Sequence, residues 1–170
     1  MRLFIAIQLN DRIRTSLDEV QRRLIRQGVH GNFTPPDNLH LTLAFIGEYP
    51  DPDDVMQALE AVSFQPFSLG LEGFGSFGDL WWAGLSDSGE LEALVRRIRH
   101  ALSGSGIPFD RKRFSPHITL IRKASYSGRG KFPEIAIPPE SMTVDHVSLM
   151  RSDRGKHGMI YTELGTVPQA

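Results

Sequence analysis

The 170-residue chain contains no cysteine. Disulfides, thiol nucleophiles and thiolate metal sites are excluded, and the expected compartment is the reducing cytoplasm. Long apolar runs are missing as well, since none approaches the ~18 residues needed to span a bilayer, so no membrane association is expected. The run from Leu3 to Ile7 is too short for a signal-peptide core and is followed by no small-residue cleavage site; it reads as a buried first strand. The G-x-S-x-G of many serine hydrolases and the G-x-x-x-x-G-K-[ST] of triphosphate loops are also absent. His30, His100, His146 and His157 form no cluster with carboxylates at ligand spacing, so no metal and no cofactor are expected. A net charge of −1 argues against a generic nucleic-acid coat.

What is present is unevenly distributed. Residues 1–95 carry six Lys or Arg against fourteen Asp or Glu, whereas residues 96–156 carry thirteen against five. That split implies a local positive field able to attract an anion, although Arg96, Arg97 and Arg99 fit a solvated helix face equally well. The more informative feature is a repeat. His40-Leu41-Thr42-Leu43 returns as His117-Ile118-Thr119-Leu120, nearly half a chain later. Side chains in a strand alternate faces, so His40 and Thr42 share one face while Leu41 and Leu43 share the other. His117 and Thr119 are disposed in the same way against Ile118 and Leu120. Each copy turns an apolar stripe into a core and an imidazole plus a hydroxyl outward.

The remaining elements follow from periodicity. Arg2 to Gln8 reads as a strand buried on both faces. Asn10 or Asp11 caps a helix to about Gln27, with Ile13, Leu17, Val20, Leu24 and Ile25 as its stripe, stopped by Gly28. Leu39 to Ile46 is the first motif strand, after the rigid turn Thr34–Asn38. A short helix is expected over Asp53–Val62. Strands follow at Phe67–Leu71 and Leu80–Leu85, separated by glycine-rich turns. The third helix spans Ser88–Leu102, and the second motif strand Ser115–Arg122. Lys123–Lys131 reads as a loop, and Met142–Arg151 with Met159–Leu164 as a terminal hairpin. The expected fold is α+β: two pseudo-symmetric lobes of mostly antiparallel sheet with flanking helices, around a central cleft carrying both H-x-T-x motifs. Residues 1–170 are expected to form one bilobal domain.

Two imidazoles in one cleft allow one to donate a proton while the other accepts. Two hydroxyls beside them can bond non-bridging phosphate oxygens and stabilise the charge of a pentavalent transition state. Together they suit hydrolysis of a cyclic phosphodiester. Residue type leaves the donor and acceptor roles exchangeable, because the two motifs are near mirror images.

With these residues in view, the chain resembles the 2H phosphoesterase superfamily, and more narrowly the RNA 2′,3′-cyclic phosphodiesterases of the LigT/ThpR type. The resemblance rests on Arg2–Ile7, Pro36–Gly47, Leu80–Leu85, Phe114–Arg122 and Tyr161–Leu164. It implies a metal-independent reaction on RNA ends or small cyclic nucleotides that leaves a 2′-phosphomonoester, carried out by a monomer. It further implies His40 as proton donor, His117 as proton acceptor, and Thr42 and Thr119 as phosphate ligands. Arg122 matches a family arginine associated with phosphate or ribose. Strict alternation places Arg122 on the face opposite His117, five residues on, unless a bulge returns it. Phe33 stands where the family often has tryptophan and is available for stacking on a base or for the core. Trp81, Trp82, Phe114 and Tyr161 share that ambiguity, with the core favoured for most. The alternatives are a 2′-5′ RNA ligase-like activity, a related phosphodiesterase on small nucleotides, and a nucleotide-binding module without turnover.

Overall fold

The computed structural model describes residues 1–86 and 88–168. Nine strands and three helices occur along them, the last four strands in succession. The strands are β1 (Arg2–Gln8), β2 (Val29–Phe33), β3 (His40–Glu48), β4 (Phe67–Phe77), β5 (Leu80–Leu85), β6 (Ile118–Tyr126), β7 (Ser141–Val144), β8 (Val147–Gly155) and β9 (Gly158–Val167). The helices are α1 (Asp11–Arg26), α2 (Pro52–Glu60) and α3 (Gly89–Gly104), and Pro36–Asn38 form a single 3-10 turn.

Two antiparallel sheets result. One has the order β3-β1-β8-β9 and the other β2-β6-β5-β4-β7. Each sheet holds one motif strand, and β3 approaches β6 where the sheets meet. The inward residues Leu41, Leu43, Ile118 and Leu120 all join one contiguous apolar core that spans both sheets. Burying each contributes roughly 1.5–3 kcal/mol. A one-residue slip would exchange these side chains for His and Thr, so the apolar stripe sets the register that aims the polar face outward.

Several expectations held and others need correction. The Asn10 side chain accepts the Ile13 N–H at 2.9 Å and starts α1. Ile13, Leu17, Val20 and Leu24 are buried, but Ile25 is 54% exposed, because it has drifted off the stripe in the last turn. Val29–Phe33 forms a strand that apolar periodicity did not announce; β2 exists through its pairing with β6. The pairing also extends β6 to Tyr126, so Lys123–Tyr126 is strand rather than loop. The glycine-rich segment after Leu71 continues β4, with a bulge between Leu71 and Phe74. Gly73–Gly78 spells G-x-G-x-x-G, yet it runs along β4 into a turn and then into β5. With no helix following, it is not a dinucleotide loop. At Gly75 an added Cβ would lie 2.4 Å from the Trp82 ring, so the glycine lets the indole lie across the strand. Met142–Arg151 divides into β7, at the edge of one sheet, and β8, inside the other; β8 and β9 make the expected hairpin.

Candidate active site

Both motif strands deviate from regular pairing at the same place. In β3, Ile5 pairs with Ala44 and Ala6 with Thr42, which leaves Leu43 as the extra residue of a bulge. In β6, Trp81 pairs with Ile121 and Trp82 with Thr119, which leaves Leu120 as the extra residue. A bulge advances the chain by one residue without changing sides. The outward residue after each threonine is therefore three positions on: Phe45 after Thr42 and Arg122 after Thr119. This corrects the alternation argument that set Arg122 on the opposite face. Arg122 lines the same cleft as His40, Thr42, His117 and Thr119.

A buried side chain on α1 holds the second bulge. Gln21 is 4% exposed and donates both amide hydrogens, to Thr34 O at 2.8 Å and to Leu120 O at 2.9 Å. The Thr34 N–H also reaches Leu120 O, at 3.0 Å. The carbonyl of the bulged residue is thus tied to two segments outside its own strand.

The two imidazoles are held in the same manner. His40 Nδ1 lies 2.7 Å from Asn38 O, and His117 Nδ1 lies 2.7 Å from Ser115 O. In each case the ring is clamped by the carbonyl two residues upstream. A carbonyl can only accept, so Nδ1 carries hydrogen and donates, leaving Nε2 for chemistry. His40 Nε2 is 2.8 Å from Thr42 Oγ1, which donates to it in the neutral ring. The Asn38 side chain donates to Met159 O at 2.9 Å and anchors the 3-10 turn to β9.

The surroundings differ between the two copies. Phe4 packs beside the His40 ring with centroids 5.0 Å apart, and Tyr161 meets it edge-on at 5.2 Å. The His117 ring is partly exposed, with Phe77 edge-on at 4.9 Å. Burial pushes the His40 imidazole below its ordinary range. The Asn38 carbonyl acts in the opposite sense, and the positive fields of Arg122, His117 and Arg14 add to the lowering.

The cleft encloses about 850 Å³ between the sheets. Its lining includes Arg2, Arg122 and Arg154 together with Glu48, Asp110 and Asp153. Of the basic half of the chain, Arg122 and Arg154 reach the cleft. Arg97 and Arg99 instead bond the carbonyls of Ser63 and Lys112. Among the aromatic candidates, Trp81 is buried at 3%, and Phe33 and Phe114 pack on the main core. Tyr161 packs on the small apolar cluster of Phe4, Ala6 and Met150 and also lines the cleft. Phe45 was missed by sequence reasoning; its signal was its position five residues after His40, matching that of Arg122 after His117. No group of three or more His, Cys, Asp or Glu side chains suited to a metal ion occurs among the described residues, and no helix among them is long and apolar enough to cross a membrane.

The chain is 31% identical to the RNA 2′,3′-cyclic phosphodiesterase of Thermotoga maritima, over 96% of this chain and 93% of that protein. It is 34% identical to the protein of the same name from Archaeoglobus fulgidus, over 80% and 77%. Among solved structures, E. coli LigT complexed with 3′-AMP superposes with a TM-score of 0.80 at 28% identity, covering 97% of this chain and 95% of that one. TT0787 of Thermus thermophilus also gives 0.80, at 29% identity, over 98% and 96%. The description of the 2′-5′ RNA ligase superfamily matches residues 9–156, which contain both histidine motifs and the elements that clamp them, and the chain belongs to that superfamily.

Proposed function

We propose that this chain is an RNA 2′,3′-cyclic phosphodiesterase that hydrolyses the cyclic end to a 2′-phosphomonoester with two histidines and no metal. The observation that carries the reading is the matched pair of imidazoles. Both are clamped through Nδ1, and both line one cleft with two threonines and Arg122. The relatives named for this activity support the same reaction class.

In the proposed step His117 Nε2 accepts a proton from water as the water oxygen attacks phosphorus. The P–O3′ bond breaks, and protonated His40 delivers its Nε2 hydrogen to the departing 3′-oxygen. Thr42, Thr119 and Arg122 hold the non-bridging oxygens as negative charge accumulates on them. His40 must be protonated to act, whereas its environment in the free protein favours the neutral ring. A bound phosphodiester carries the negative charge that offsets the field of Arg122, so substrate binding draws a proton onto His40. Phe45, 51% exposed beside this site, offers a platform for the terminal base. Residues 1–170 act as one bilobal domain, with one motif contributed by each sheet. The protein works as a cytoplasmic monomer, since each cleft takes both histidines from the same chain.

Phosphorus NMR of the product from an RNA ending in a 2′,3′-cyclic phosphate tests the reading. A 2′-phosphate is expected. A 3′-phosphate would exchange the two histidine roles. Near wild-type turnover by His40→Ala/His117→Ala would end the assignment, and tight nucleotide binding without turnover by the unmutated protein would favour a binding module instead.

A further inference from the structure

The cleft extends well past the reaction site. Thr42 stands opposite Ala6 of β1, and Arg2 lies four residues further along the same strand. At about 3.4 Å per residue, roughly 14 Å of sheet separates them. A stacked strand of nucleic acid advances about 3.4 Å per nucleotide. The interval therefore corresponds to a few nucleotides rather than to the terminal one. Arg2 is opposite Ser152 of β8, and Arg154 lies two residues beyond on the same face, opposite Met159. Arg2, Thr42, Ser152, Arg154 and Met159 all line the cleft.

Charge pairing distinguishes the arginines from their acidic neighbours. The Asp153 carboxylate is bridged to Arg151 Nε at 3.0 Å. Glu48 is turned to the Met1 amine at 3.3 Å, although it stands across from Arg2. Asp110 accepts the Lys112 N–H at 3.0 Å. Arg2 and Arg154 make no ion pair and no side-chain hydrogen bond among the described residues, and both are exposed. Two unpartnered guanidiniums and the Ser152 hydroxyl, neighbours in the sheet register and lining one groove, offer the donors a phosphodiester accepts from.

We propose that Arg2, Ser152 and Arg154 form a second phosphate subsite that holds the RNA backbone a few nucleotides before the cyclic end. The proposal rests on the reading that the cyclic phosphate sits among His40, Thr42, His117 and Thr119. It makes the preferred substrate an oligonucleotide and gives the strand a direction, from the β8–β9 hairpin toward the motif histidines.

The test compares kcat/KM for three substrates: a nucleoside 2′,3′-cyclic phosphate, the same compound bearing a 5′-diphosphate, and a tetranucleotide ending in a 2′,3′-cyclic phosphate. The tetranucleotide is expected to exceed the nucleoside by at least about tenfold, the scale of one well-made charged contact. In Arg2→Ala/Arg154→Ala the ratio of the two should fall toward one. The slope of log kcat/KM against log salt for the tetranucleotide should also become shallower by about 0.7 for each arginine removed. A ratio near one in the unmutated protein, or an equal loss on both substrates in the double variant, overturns the subsite. An advantage seen with the 5′-diphosphate and not with the tetranucleotide overturns the RNA assignment in favour of the terminal phosphates of a small nucleotide. No turnover of any of the three overturns the parent reading, which separates the two failures.

Discussion

Replacing Gln21 with methionine tests whether a buried amide on α1 aims Arg122. The two side chains are similar in length and volume, so the core is not emptied. Both hydrogen bonds vanish, the 2.8 Å bond to Thr34 O and the 2.9 Å bond to Leu120 O. Leu120 O keeps the Thr34 N–H at 3.0 Å, so the heavier cost falls on Thr34 O. An unsatisfied carbonyl costs about 1–3 kcal/mol when buried, and Thr34 O is only part-buried, so the lower end of that range applies. A domain of this size is stable by about 5–15 kcal/mol, so the variant folds, with Tm lowered by roughly 2–4 °C per kcal/mol. The functional effect is of a different kind. Once the bulge at Leu120 loses its tie to α1, pairing relaxes toward regular alternation, which turns Arg122 off the cleft face. A hydrogen bond to a charged group contributes about 1.5–3 kcal/mol, and each 1.36 kcal/mol is about tenfold in rate. Gln21→Met should therefore lower kcat/KM by up to about 10- to 150-fold, approaching the loss in Arg122→Ala. The decisive assay is the double-mutant cycle. Adding Gln21→Met to Arg122→Ala should cost little further activity, because the residue being aimed is already gone. Equal losses from Gln21→Met with and without Arg122 would refute the reasoning and leave Gln21 a structural residue only.

Single substitutions His40→Ala and His117→Ala should each lower kcat by about 10²–10⁴-fold, as measured on a cyclic nucleotide. Activity should persist in excess chelator; loss on chelation and recovery with a divalent metal would refute the two-imidazole mechanism. Because the folded protein holds the His40 imidazole below its ordinary value of about 6.5, the unfolded chain binds more protons. The stability from this group is present above pH 6.5 and lost as pH falls through the depressed value. The acid limb of the unfolding midpoint against pH should thus be shallower in His40→Gln than in the parent, and identical curves would contradict the assignment. Phe45→Ala should raise KM for a nucleotide substrate roughly 5- to 150-fold, the range of one base–aromatic stack, with kcat little changed and Phe45→Tyr restoring it. A fall in kcat at constant KM would place Phe45 elsewhere in the mechanism.

The parts of the fold that were legible in the sequence are those in which local pattern and tertiary structure agree. Period-two alternation assigned His40, Thr42, His117 and Thr119 to polar faces because Leu41, Leu43, Ile118 and Leu120 had to be buried. The stripes of α1 and α3 were legible for the same reason. What escaped depends on distant partners. Val29-His30-Gly31-Asn32-Phe33 has no apolar alternation, and its strand is made by β6. The break at Asp145-His146 separates β7 from β8 and sends them to different sheets, which neighbouring residues alone do not specify. Arg122 is the sharpest case. Its direction is set by an extra residue in β6 whose carbonyl is held by Gln21, 99 residues earlier. Alternation is a rule about regular strands, and it failed where a buried polar side chain stabilises an irregular one.

The internal repeat thus extends further than four residues. In each copy a carbonyl two residues upstream holds the histidine, a threonine follows on the same face, and the next leucine is bulged. The fifth residue after the histidine then reaches the cleft. Symmetry ends at that fifth position, where one copy has Phe45 and the other Arg122. A phenyl ring contributes no charge and suits a base, whereas a guanidinium suits the phosphate. The same division separates the histidines. His40 is enclosed by Phe4 and Tyr161, so that burial, with the fields of nearby cationic side chains adding to it, holds its imidazole low, while His117 stands at the more open side beside Phe77. In the proposed step the enclosed imidazole, protonated once substrate supplies the charge, is the donor. The more open one is the acceptor, on the side from which water would be activated. Two locally equivalent motifs can divide donor and acceptor roles because the sheets behind them are not equivalent.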